Sequence, residues 1–164
     1  MMDMLKRIGL LLLCLFLFPR FSCGGSYVPK PQPDRITFVY ELQTEDDIYE
    51  VMCSRLIDGE EVSIHGGSHA DKTKLKGLLE DWIEKDDYPE GDEDFDYSKF
   101  GMQLYIRTEP LTDLDPARIF LNTVPVEPLL EFPVEYGHLY TIRIEGSREK
   151  GYTATYLGEQ TDTE

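Results

Sequence analysis

The chain has 164 residues and a net charge of −16 at pH 7, with 32 acidic side chains against 16 basic ones. That balance excludes nucleic acid as an expected partner, because phosphate binding needs a basic footprint and only Lys72, Lys74 and Lys76 cluster. It suits a cation, a basic protein partner, or simple solubility. The length suits one domain with its own core behind a short leading segment.

Lys6 and Arg7 open the chain with positive charge, and Ile8 to Phe18 form an unbroken apolar run of 11 residues. Pro19 and the small residues around Cys23 follow. A positive start, a short apolar stretch and a small-residue exit predict a secretory signal over residues 1–22. The run is about half of the roughly 20 residues that a membrane-spanning helix needs. The exit Ser22-Cys23-Gly24 resembles bacterial lipoprotein precursors, and Cys-Gly-Gly-Ser is similar to those of Bacteroidota-type bacteria. The resemblance covers about the first 25 residues. It implies cleavage before Cys23, acylation of Cys23 and anchoring in the cell envelope, at the outer membrane and facing the periplasm. Two or three acyl chains anchor firmly where one holds only marginally. Arg20 and Phe21 depart from the family pattern, and the alternative is a soluble secreted protein. In that case a Cys23–Cys53 disulfide becomes available, closing a loop of about 30 residues for roughly 3–4 kcal/mol.

Residues 24–34 carry Pro29, Pro31 and Pro33 and no periodicity, which predicts an extended tether. The globular domain is expected over 35–158, with 159–164 as a polar tail. Ile36, Phe38, Tyr40 and Leu42 alternate with more polar residues, as a strand does. Residues 44–58 fit two patterns. Thr44 with an acidic first turn and Ile48, Val51, Met52 and Leu56 fit a helix; Tyr49, Val51 and Cys53 before Asp58-Gly59 fit a strand and hairpin turn. Val62 to His65 reads as a short strand.

Ser68 as an N-cap and Leu75, Leu78, Leu79, Trp82 and Ile83 at helical spacing predict a helix over about 69–85. Ten acidic residues and one lysine then fall between positions 80 and 96. Met102, Leu104 and Ile106 alternate as a strand, and Arg118 to Val124 is another. Pro125, Pro128 and Pro133 predict a loop or irregular edge over 125–137. Tyr140, Ile142 and Ile144, then Tyr152, Ala154 and Tyr156, form a β-hairpin with a loop of about five residues. The fold expected is α+β, a mostly antiparallel sheet packed by the 69–85 helix, with an all-β sandwich carrying an inserted helix as the alternative.

Candidate chemistry is sparse. Asp92, Asp94 and Asp96 alternate as carboxylates do in calcium loops, but the sixth and twelfth places hold Tyr97 and Gln103, so an EF-hand is excluded. They stay candidates for a looser calcium site or for contact with a basic partner. His65 and His69 are four apart, as zinc ligands on a helix can be, but Gly66-Gly67 separates them and no HExxH glutamate joins them. Cys53 has no neighbouring histidine, and no GxSxG or Ser-x-x-Lys appears. The sequence thus points to a non-enzymatic binding or interaction module of the cell envelope. An acidic inhibitor or immunity-type protein facing a basic enzyme comes second, and a small hydrolase third.

Overall fold

The computed structural model describes residues 29–66, 75, 77–85, 96–110 and 122–161. Among these residues eight strands make one sheet: β1 Arg35–Thr44, β2 Glu50–Ile57, β3 Glu60–Gly66, β4 Leu78–Glu84, β5 Phe100–Arg107, β6 Thr123–Glu131, β7 His138–Ser147 and β8 Gly151–Thr161. Their spatial order is β3-β2-β5-β6-β8-β7-β1-β4. Pairing is antiparallel except between β1 and β7 and between β6 and β8.

The sheet curls on itself into a half-barrel. Phe38 on β1 and Phe100 on β5 are four places apart in the sheet, yet their rings stack at 5.5 Å. Only curvature brings those strands face to face. The concave face carries the core: Ile36, Phe38 and Tyr40 of β1, Val51 and Cys53 of β2, Met102, Leu104 and Ile106 of β5, Ile142 and Ile144 of β7. Phe132 extends the aromatic packing, lying 6.0 Å from Phe100, 5.7 Å from Tyr140 and 4.5 Å from Tyr156. Offset and edge contacts at these distances add roughly 0.5–1.5 kcal/mol a pair beyond burial.

The α+β expectation is overturned, because among the described residues there is no α-helix and only the one-turn 3-10 helix Tyr97–Lys99 departs from strand and loop. The sandwich alternative fails too, since the eight strands of the described residues belong to a single sheet. The expected 69–85 helix is a strand where it is described. Leu78–Glu84 pairs with β1 in unbroken register, from Leu78 opposite Glu41 to Glu84 opposite Arg35. Positions 69–74 and 76 lie outside the described residues. The physical reason lies in the spacing. Residues i and i+4 share a face in a helix and also in a strand, so Leu78–Trp82 and Leu79–Ile83 are compatible with both. Only the i, i+3 pairs distinguish them, and those are split: Leu79 and Ile83 turn toward the core while Leu78 and Trp82 stand 49 % and 39 % exposed. The open edge of β1 supplied backbone partners that override local propensity.

The 125–137 loop is also corrected. Residues 123–131 form β6 inside the sheet, between β5 and β8. Pro125 and Pro128 are tolerated because β6 pairs with β8 at only two positions, Val126↔Tyr152 and Glu127↔Thr153, so few ladder donors are required there. On the β5 side the register shifts between Met102 and Leu104, and the Gln103 side-chain amide donates to Val126 O at 2.8 Å across the irregularity. The 44–58 ambiguity resolves to strand. β2 and β3 are joined by Asp58-Gly59, both at positive φ (52° and 82°), as a two-residue hairpin turn of type I′ requires. The C-terminal hairpin forms as expected, with β8 continuing through Thr161 opposite His138.

Candidate functional site

Among the described residues, several networks combine polar chemistry with defined geometry. Two of them involve β4, an edge of the sheet among the described residues.

The first lies inside the curl. Arg55 alternates with Cys53 and Ile57 on the inner face of β2, so its guanidinium projects into the concave side, where it is only 1 % exposed. It meets β4 there. Its Nη2 donates to Asp81 Oδ2 at 2.9 Å and to the carbonyl of Trp82 at 3.0 Å. The other carboxylate oxygen, Asp81 Oδ1, accepts the Trp82 backbone N–H at 2.9 Å. Tyr40 on β1 donates its hydroxyl to Asp81 Oδ2 at 3.5 Å. Burial pushes the Tyr40 phenol well above its usual range, with Cys53 and Asp81 adding to the effect. Burial likewise pushes the Cys53 thiol up to about 12, although Arg55 pulls it the other way. A thiol that stays protonated is a poor nucleophile. The cluster therefore ties strands together and has no evident reacting group.

The second feature lies on the outer face of β4. Leu78, Glu80, Trp82 and Glu84 alternate outward. The Arg35 guanidinium sits 4.9 Å over the Trp82 ring and pairs with Glu84 at 2.5 Å. One strand over, Arg143 of β7 pairs with Glu41 of β1 at 3.1 Å. The result is an exposed tryptophan and leucine set among paired charges.

A third network is a brace. Asp46 accepts from Tyr152 Oη and from the Arg148 backbone N–H, each at 2.6 Å. Those two bonds, the tyrosine's first, hold its carboxyl below the usual range. Arg148 pairs with Glu109 at 3.0 Å and Lys150 with Glu45 at 2.7 Å, so the β7–β8 turn is pinned to the segments that follow β5 and β1.

Of the residues singled out from sequence, Asp96, His65 and Cys53 are described. Asp96 is the N-cap of the 3-10 turn, and its Oδ1 accepts from the Ser98 N–H at 3.2 Å and the Ser98 hydroxyl at 2.5 Å. Those bonds lower its pKa. Asp92 and Asp94 lie outside the described residues, as do His69 and Cys23. His65 stands in β3 opposite Cys53. Among the described residues no group of three His, Cys, Asp or Glu side chains could hold a metal, and no helix is long and apolar enough to cross a membrane. Sequence reasoning missed Arg55 and Asp81. The available signal was a charged residue at an inward position of an otherwise apolar strand, Cys53-Ser-Arg55-Leu-Ile57.

No family model matches the chain, and no curated protein does. Among solved structures it is similar to listeriolysin O, at 9 % identity and a TM-score of 0.35 over 79 % of this chain and 23 % of that one. Suilysin from Streptococcus suis is similar at 9 % identity and a TM-score of 0.32, over 77 % of this chain and 23 % of that one. The chain thus spans less than a quarter of the length of these proteins.

Proposed function

We propose that the protein is an exported lipoprotein of the cell envelope, acylated at Cys23 and facing the periplasm, that works as a non-enzymatic binding module. Its contact surface is the outer face of β4. The observation that carries the binding role is the exposure of Trp82 and Leu78 beside Arg35 on one strand face. Tryptophan and arginine are the residue types that most often anchor protein interfaces, and here both are already held in position. Arg35 is fixed by Glu84 and by the ring, so little side-chain freedom is lost on binding.

A photo-crosslinking residue placed at Leu78 in the envelope-anchored protein tests this. Capture of a discrete partner, abolished by Trp82→Ala and absent when the crosslinker stands at exposed Glu149, supports the reading. Equal capture from both positions, or none at low salt, overturns it.

The charge favours a second reading, an acidic inhibitor of a basic enzyme with 80–96 as its contact. Asn at positions 92, 94 and 96 should then weaken binding and flatten its salt dependence. An unchanged salt slope removes this version.

A further inference from the structure

β6 and β8 are neighbours in the sheet, yet they share only two ladder positions, Val126↔Tyr152 and Glu127↔Thr153. Beyond that point each strand keeps its other partner. Leu130 and Glu131 stay with β5, and the Phe132 N–H still donates to the Phe100 carbonyl at 3.1 Å. β8 instead follows β7 as far as Thr161 opposite His138. Pro128, which has no N–H to give, stands where the ladder ends. Residues 155–161 of β8 thus have β7 as their one ladder partner among the described residues, and all but Gly158 are exposed. The side chains beside this stretch are apolar and acidic. Leu129, Tyr156 and Leu157 stand 38 %, 36 % and 42 % exposed, and the Tyr156 ring is held by its stack on Phe132. Glu127 and Glu131 of β6 and Glu159 of β8 are exposed too. Glu127 and Glu131 form no ion pair among the described residues, and Glu159 has His138 beside it at 3.5 Å. Arg143, the basic side chain opposite Thr155, is already paired with Glu41.

We propose that residues 155–161 of β8 take up an extended, basic segment of a partner protein as an added strand, with its lysines or arginines against Glu127, Glu131 and Glu159. Main-chain bonds to β8 give such a contact its affinity, and the flanking side chains give it selectivity. Charge decides between occupants. A second copy of this chain would bring a net charge of −16 to a rim that is already acidic, whereas a basic segment meets carboxylates that lack a cation. The stretch is separated from β4 by β7 and β1, so the inference does not depend on what the outer face of β4 binds.

The test titrates the protein as isolated from the cell with a labelled peptide in which lysine and valine alternate, followed by fluorescence anisotropy. The expected result is saturable binding that weakens with salt, together with slowed amide exchange over residues 155–161. An added strand turns only every second N–H toward β8. N-methylating alternate residues of the peptide should therefore abolish binding in one phase and spare it in the other. Glu131→Gln and Glu159→Gln should each weaken binding about two- to fivefold, the range of exposed ion pairs, and flatten its salt dependence. Glu149→Gln removes an equally exposed carboxylate at the β7–β8 turn and should leave binding unchanged. Trp82→Ala should also bind as wild type, which separates this contact from the one proposed for β4. No binding, an equal response to both methylation phases, or an equal loss in Glu149→Gln overturns the inference.

Discussion

The Arg55–Asp81 pair should be worth far more as a pair than either member is alone. At 2.9 Å the attraction is about 6 kcal/mol for an effective dielectric of about 20, before the cost of taking both groups out of water is subtracted. Arg55 is almost wholly enclosed and the Asp81 side chain is 15 % exposed, so that cost is large. Removing Arg55 alone takes the guanidinium away from a largely enclosed carboxylate, and Arg55→Met should cost about 3–5 kcal/mol. Replacing both, as Arg55→Met with Asp81→Leu, removes both charges of the pair and should recover most of the loss. Urea unfolding followed by tryptophan fluorescence is the natural assay, because Trp82 is the sole tryptophan and adjoins the pair. The coupling from the double-mutant cycle should be about 2 kcal/mol or more. A single-variant cost below about 1 kcal/mol, the level of an exposed pair, would refute the reasoning, as would simple additivity.

Three further outcomes follow from particular contacts. Cys53, buried and with its thiol raised to about 12, should resist thiol reagents at neutral pH in the folded protein and react on unfolding; rapid native-state labelling would contradict its burial. Asp46 has a folded pKa below its ordinary value, so its contribution to stability is present above about pH 4 and is lost as pH falls through the folded pKa. Asp46→Asn should lower the melting temperature at neutral pH and flatten its decline in acid, whereas a decline parallel to wild type would exclude the carboxylate as the cause. Gly146 has φ +111°, and a Cβ there would run into the Gly151 carbonyl, so Gly146→Ala should destabilise the β7–β8 hairpin by at least about 1–3 kcal/mol; a neutral result in thermal unfolding would be inconsistent with that turn.

Strands whose inward residues alternate with polar ones were legible from sequence. β1, β5 and the β7–β8 hairpin have one face in the core, and that is the pattern that reports directly on side chains at period two. β4 was not legible, because its apolar residues recur at spacings that helix and strand share. The choice was made by the open edge of β1, which is a long-range partner. β6 was hidden by Pro125 and Pro128, whose cost depends on how few ladder bonds β8 asks of them. The half-barrel itself has no local signal. It shows in the Phe38–Phe100 stack and the Arg55–Asp81 pair, contacts between strands far apart in the sheet order. The carboxylates that looked most like a site, at 92, 94 and 96, drew attention by density. Asp96 turns out to cap a turn, and a carboxylate that pairs inside the curl is Asp81, which a run of ten acidic residues conceals.

The proposed role depends first on where the chain resides and how it is held there. Intact mass of the protein purified from the membrane fraction tests that most directly. The expected result is a chain beginning at Cys23 and heavier than its sequence by the mass of two or three acyl groups. A chain that keeps residues 1–22, or one that begins near Cys23 with an unmodified or disulfide-linked thiol, would contradict it.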